Sequence, residues 1–314
     1  GGVSDRLKPL PLLVLLAHRS KRLLLIWWTR PCGLEEFLVP PKGGVDWSVP
    51  EWLQPHVNEK QLYDKSITIT VHRLKYHTQQ LTIRTRIQTP GGGEDYYNAQ
   101  DEVDSTFESV FHQLFRYFFE PSERLQRKID ANMETYGLRP GKYAAAHFRV
   151  MYGGRKFRPA NETIHLTVNA INCASELYHG GPVYFAGDIK FAVDVAQEYG
   201  KQRSIGVASL DFNDDPLHFD KDKEWAEREP SEYDDTFIDL YMLGNSRCVT
   251  YSNGGYGSFG QLLSYDSKCS VRHYQKHEIA KNCTWTNVAG VPEDLEPPEM
   301  IIPEELQNDL AAKQ

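Results

Sequence analysis

Four short segments of this 314-residue chain combine residue types that can hold a charged ligand. The first, Gly1-Gly2-Val3-Ser4-Asp5, joins two glycines to a carboxylate at the start of a helix. Bare backbone N–H groups at Gly1 and Gly2 can approach a ligand closely, although a plain helix cap uses the same residues. The second, Ala144-Ala145-Ala146-His147-Phe148-Arg149, reads as a small-residue strand ending in an imidazole and a guanidinium. The two-residue period of a strand puts His147 and Arg149 on one face. There an Arg can fork onto a diphosphate while the His donates a second hydrogen bond; a salt-bridged strand end would carry the same residues. In the third, Val183 to Asp188, the carboxylate of Asp188 follows a buried strand and precedes a helix. It either caps that helix or accepts hydrogen bonds from a nucleotide's base or ribose. The fourth, Thr250 to Gly260, is dense in glycine and in hydroxyls such as Ser252, and is expected to enter a helix near Ser258. Unpaired N–H groups and the helix dipole favour a phosphate there, with Ser258 as helper.

Other chemistries lack their signatures. There is no GxxxxGK[ST] phosphate loop, no GxSxG elbow, and no GxGxxG following a strand. The five cysteines form no CxxC pair and no metal-finger spacing. Cys269 and Cys283 flank a short polar segment and are candidates for a disulfide that spacing alone does not establish. The acidic stretches Asp211 to Asp215 and Asp220 to Glu229 have no ligand pattern and read as solvated loops. A net charge of −8 gives no global positive field to gather nucleic acid, so an anionic ligand must be held by a few local groups.

These segments need elements to position them. A composition of 40% hydrophobic and 25% charged residues suits a globular chain with room for two domains. The apolar run from Leu10 is broken by His18, Arg19, Lys21 and Arg22 short of the ~20 residues a bilayer span needs. Neither a transmembrane helix nor a cleavable signal is read in the chain. The opening residues predict a glycine turn, a helix entered through Pro9 and Pro11, and a fully buried strand over Arg22 to Trp28. A parallel α/β unit would place a strand before the glycines, so its first strand is expected to be missing. Residues 29 to 65 read as irregular with short helices, and Ser66 to Thr89 as strands ending at Pro90-Gly91-Gly92-Gly93. Helices follow over Phe107 to Phe119 and from Glu120 or Pro121 to Thr135, and Gly137 to Gly141 marks the expected domain boundary. Beyond it, short β runs alternate with helices from Lys142 to Tyr265, the pattern of a doubly wound parallel sheet.

The order of the four segments, together with Phe237-Ile238-Asp239-Leu240-Tyr241-Met242-Leu243 before the last of them, resembles the GDP-fucose-dependent fucosyltransferases, the superfamily of α1,2-, α1,6- and protein O-fucosyltransferases. The resemblance covers most of the second half and about the first thirty residues. It implies an α/β, GT-B fold: two Rossmann-like domains facing across a cleft, over 1–138 (acceptor side) and 139–291 (donor side), with 292–314 as an acidic, proline-rich tail. Arg149 resembles the family's arginine on the donor's β-phosphate, with His147 beside it. Asp188 and Asp239 match positions on the nucleoside side. Ser258 and Phe259 resemble the pair that meets the phosphates, and Gly1, Gly2 and Ser252 fall among the donor contacts. After Arg149 the α1,6 enzymes carry a further Arg and an Asp, and here Val150, Met151 and Tyr152 depart from that subfamily.

What the resemblance implies about activity is transfer of fucose from GDP-fucose to a hydroxyl of a glycan or glycoprotein, with inversion and without cofactor or required metal. Arg149 would stabilise the leaving diphosphate and Asp5 would be the general base. The rivals are a GT-B enzyme with another nucleotide-sugar donor and a binding-only relative. The expected compartment is the Golgi or endoplasmic reticulum lumen, with membrane attachment only through an upstream anchor. The sequons Asn161-Glu162-Thr163 and Asn282-Cys283-Thr284 point the same way.

Overall fold

The structure, a computed structural model, describes residues 2–28, 31–56, 70–77, 80–88, 94–97, 107–151, 158–211, 217, 224–275 and 278–279. The chain divides into two compact units, one over Asp5–Glu120 and the other over Pro121 onward together with the residues through Ser4.

In the first unit, helices α1 (Val3–Leu7) and α2 (Leu10–Ser20) are separated at Lys8 and Pro9, as the prolines predict. The buried strand expected over Arg22 to Trp28 does not form. Ile26 makes one ladder-like bond, its N–H to the Trp47 carbonyl at 2.9 Å, while Leu23 is 89% exposed and Trp27 is 42% exposed. A single hydrogen bond cannot propagate a strand, however apolar the run. The core here is aromatic. Trp47 is fully buried, donates from Nε1 to the Phe118 carbonyl at 2.6 Å, and meets Phe119 edge-on. Helix α3 (Phe107–Phe118) supplies Phe111 and Phe115 to the same cluster. Beside the two-residue β1 (Leu38–Val39), strands β2 (Thr70–His77), β3 (Gln80–Gln88) and β4 (Glu94–Tyr97) form an antiparallel sheet in that order. The strand after the glycine run is an addition to the sequence reading. A Rossmann-like arrangement, expected of residues 1–138, is not seen among the described residues of this unit.

The second unit opens with β5 (Glu120–Pro121, which straddles the division) and α4 (Glu123–Thr135), whose first turn is capped by the Ser122 hydroxyl. Here the division falls before α4 rather than at Gly137 to Gly141. The reason is an ion-pair cluster: the fully buried carboxylate of Asp234 takes Arg124 at 3.0 Å and Lys128 at 2.8 Å, which ties α4 to the start of α7 (Asp234–Asn245).

A five-stranded parallel sheet forms the centre of this unit, in the order β10-β9-β6-β7-β8. Its strands are β6 (Ala144–Phe148), β7 (Val183–Gly187), β8 (Val207–Ala208), β9 (Cys248–Tyr251) and β10 (Ser270–Arg272). Every residue of the middle strand β6 is buried, because helices cover both faces. On one side α5 (Ala160–Leu177) accepts the Thr250 hydroxyl at the Ala170 carbonyl; on the other, the Tyr143 hydroxyl donates to the Met242 carbonyl of α7. Helix α6 (Lys190–Arg203) follows β7, and α8 (Gly255–Leu263) follows β9. The alternation read from Lys142 to Tyr265 is thus present as a doubly wound sheet, with β10 added at its edge. Short strands β11 (Tyr274–Gln275) and β12 (Glu278–Ile279) pair antiparallel beyond it. The Asn161 sequon lies in the first turn of α5, with Thr163 buried. Among the described residues no helix is long and apolar enough to cross a membrane.

Cys269 pairs with Cys248, not with Cys283. The register of β9 and β10 sets Val249 opposite Ser270, which brings the two preceding cysteines side by side, 4.7 Å apart at Cα. Closing a loop of this length stabilises by about 3 kcal/mol in the chain-entropy account. Cys269→Ser is expected to lower the free energy of unfolding by about that much, read as the shift in urea midpoint at unchanged slope.

Candidate functional site

The carboxyl ends of β6, β7, β9 and β10 meet at one edge of the parallel sheet, where such sheets place their ligands. The chain leaves β6 through Arg149, and the backbone there is held from two sides. The Arg149 N–H donates to the Ser252 hydroxyl at 2.8 Å, and the Ser252 N–H returns a bond to the His147 carbonyl at 3.0 Å. The next two N–H groups, of Val150 and Met151, donate to the two carboxylate oxygens of Asp188 at 2.7 and 3.1 Å. Arg149 Nε in turn donates to the Met151 carbonyl at 3.0 Å. These bonds brace the backbone on both sides of Arg149, and the Nε bond turns its guanidinium in one direction.

That direction is toward the start of α8. Gly254, at the N-cap, has φ +103°, and a Cβ built there would lie 3.0 Å from Arg149 Nη1. Gly257 lies closer still to the sheet, since a Cβ there would be 2.6 Å from His147 Nδ1 and 2.7 Å from the Tyr251 Cβ. Both positions therefore require glycine, the first for its backbone angle and the second for space. Helix α8 begins at Gly255, earlier than Ser258. The backbone N–H groups of this first turn have no intrahelical acceptor and carry the positive end of the helix dipole. Arg149 beside such a terminus makes an anion-binding corner.

The sequence candidates separate into those at this corner and those elsewhere. Arg149 and His147 both lie along the first turn of α8. His147 is 5% exposed, and burial, the Arg149 charge and His273 hold its imidazole down to about 3, so it is neutral rather than cationic at physiological pH. Its Nδ1 is buried without a hydrogen-bond partner. Ser252 is fully buried and braces the backbone at Arg149. Asp188 does not cap α6, whose N-cap is Ile189; each of its oxygens accepts one backbone N–H from the turn after Arg149. Burial raises it to about 6 against the lowering effect of those two N–H groups and Arg149. Asp239 is turned into the core, where it accepts the Tyr184 hydroxyl at 2.5 Å. Tyr184 pairs with Ala145, three positions short of the carboxyl end of its strand. The Ser258 hydroxyl donates back to the Gly255 carbonyl at 3.0 Å, and the Phe259 ring is fully buried. Gly2 is half-buried, and Asp5 is exposed in α1 and belongs to the other unit; Gly1 lies outside the described residues. Of the acidic stretches, Glu224 pairs with Arg228 at 3.5 Å near the surface, and residues 212–216 and 218–223 lie outside the described residues.

Two residues at this edge escape a motif search. His273 Nε2 meets the His147 carbonyl at 3.2 Å, and Arg272 donates to Asn253 Oδ1 at 3.4 Å. Both follow from β10, a three-residue strand set in a polar stretch with no apolar run to mark it. Only the pairing partner identifies it.

The buried carboxyl of Asp239 has a consequence for stability. Burial first, and Asp235 with it, push it from the ordinary 3.8 up to about 8. The folded state therefore keeps a proton that the unfolded state has lost between these values, and stability falls as pH rises through this window. Asp239→Asn keeps an acceptor for Tyr184 and does not titrate. Urea unfolding near pH 5 and near pH 8 is expected to show wild type losing stability relative to this variant on going to the higher pH; parallel profiles would contradict the assignment.

No family model matches the chain, and no curated protein matches it. Among solved structures, the chain is similar to the fucosyltransferase NodZ from Bradyrhizobium, at 14% identity over 84% of this chain and 90% of that one, with a TM-score of 0.47. The NodZ alpha-1,6-fucosyltransferase soaked with GDP-fucose matches at 16% identity over 84% and 89% of the two chains, with a TM-score of 0.48. A mutant of Arabidopsis thaliana FUT1 in complex with GDP matches at 14% identity over 84% and 67%, with a TM-score of 0.49.

Proposed function

We propose that this chain is a fucosyltransferase of the GT-B kind that moves fucose from GDP-fucose to a hydroxyl of a glycan or glycoprotein with inversion. The observation that carries this reading is the Arg149 guanidinium against the N-terminal turn of α8, its Nε bonded to the Met151 carbonyl and its backbone braced by Ser252 and Asp188. Transfer breaks the bond between the fucose anomeric carbon and the β-phosphate oxygen, while the acceptor oxygen bonds to that carbon from the opposite face. The electron pair leaves with GDP, so negative charge grows on the diphosphate. A cation and a helix terminus that are already oriented stabilise that charge without reorganising, and removing one such donor typically costs 10²–10³ in rate. No metal is needed in this scheme. The acceptor's proton goes to a carboxylate, for which Asp5 is the candidate. The Cys248–Cys269 disulfide supports an oxidising compartment, in keeping with the lumen of the endoplasmic reticulum or Golgi.

Thermal-shift screening of nucleoside diphosphates tests the donor first: GDP is expected to raise Tm and UDP is not. Arg149→Ala is expected to lower transfer from GDP-fucose by about 10²–10³-fold and to shrink the GDP shift, with the fold retained. Asp5→Asn should lower kcat and leave GDP binding unchanged. A protein that binds GDP tightly and neither transfers nor hydrolyses GDP-fucose would be a binding-only relative, and a fully active Arg149→Ala would remove the reading.

A further inference from the structure

We propose that Arg272 is a second guanidinium ligand for the donor's diphosphate, acting opposite the same helix turn as Arg149. The inference rests on the donor reading above.

It starts from register. The parallel ladders set His147 beside Tyr251, and Tyr251 beside Arg272. Register partners on neighbouring strands leave a sheet on the same face. His147 and Tyr251 face α8, because both crowd the position where Gly257 would carry a Cβ. Arg272 therefore emerges on the face that the first turn of α8 covers, at the carboxyl end of its strand. Arg149 reaches the same turn at Gly254, and Arg272 reaches it at the preceding residue, through the 3.4 Å bond to Asn253.

The hydrogen bonding around Arg272 is incomplete. Its Nε is buried without a partner, and the bond to Asn253 is long. Across β9, the Nδ1 of the 5%-exposed His147 is also buried and unpaired at this turn. A buried donor left as Arg272 Nε is carries a desolvation cost that an anion entering the corner would relieve. A departing nucleoside diphosphate also carries more negative charge than Arg149 and one helix terminus can balance. In a chain of net charge −8, the balance has to come from a residue at the site, and Arg272 is in place to supply it.

The test compares binding of GDP, GMP and guanosine to wild type, Arg272→Ala and Arg272→Lys by calorimetry, with folding checked by circular dichroism. Arg272→Ala is expected to weaken GDP about 10- to 100-fold, GMP less, and guanosine not at all, with Arg272→Lys in between. An unchanged GDP affinity in Arg272→Ala would overturn the proposal. So would equal losses for GDP and guanosine, since that pattern belongs to a residue that only holds the Asn253 loop. Should Arg272→Ala fail to fold, the Lys variant decides alone: a GDP affinity weakened by less than about 10-fold with guanosine unchanged is expected, since Lys keeps the charge but not the fork, and wild-type GDP affinity or equal losses for the two ligands overturns the proposal. Failure of wild type to bind GDP would instead overturn the donor reading, and shows before any variant is compared.

Discussion

At Gly257 and Gly260, helix α8 lies closer to its neighbours than a side chain at either position would allow. Gly257 sits against His147 and Tyr251 at the sheet, Gly260 against Leu243, and across the same seam Gly244 against Leu263. Gly257 sets the height of the helix above the sheet edge, Gly260 and Gly244 set its distance from α7, and together they decide where its first N–H groups point. The anion-binding corner is downstream of that distance. A helix one methyl group further out would still be a helix, but its positive end would no longer meet the Arg149 guanidinium.

The polar groups around the corner are arranged in layers. Nearest the open side are Arg149 and the backbone of the first α8 turn. Behind them Ser252 and Asp188 bond to backbone N–H groups rather than to side chains, so they fix the path of the chain and leave the arginine's terminal nitrogens to a ligand. Deeper still, Asp239 and Tyr184 form a buried pair, and Asp239 holds its proton because water cannot solvate the anion there. Of these two carboxyls burial raises both, Asp188 to about 6 and Asp239 to about 8. Residues of one chemical type thus take different duties according to depth.

The sequence made the parallel half legible because alternating short apolar runs and helical periods leave few topologies open. Arg149 could be found because it ends a strand of small residues, and Ser252 because it stands in a glycine-rich loop. Asp239 could not be placed in the same way. Its helix, α7, is buried nearly all round, so periodicity does not say which face a carboxyl takes, and only the Tyr184 hydroxyl shows that it points inward. Arg22 to Trp28 misled for the opposite reason: apolar composition marks what can be buried, whereas a strand needs a partner. The helix over Glu123–Thr135 was recognised, but its allegiance was not, because Arg124 and Lys128 meet Asp234 from far along the chain.

The Cys248–Cys269 bridge joins the two strands at the end away from the corner. Edge strands are the elements most free to slide along their neighbours, and a slide of one residue turns every side chain to the other face. In β10 such a slip would turn Arg272 away from α8 and bring a neighbouring residue to its place. A covalent tie at the strand's beginning forbids the slip, so a bond with no part in the chemistry keeps the address of a charge at the other end.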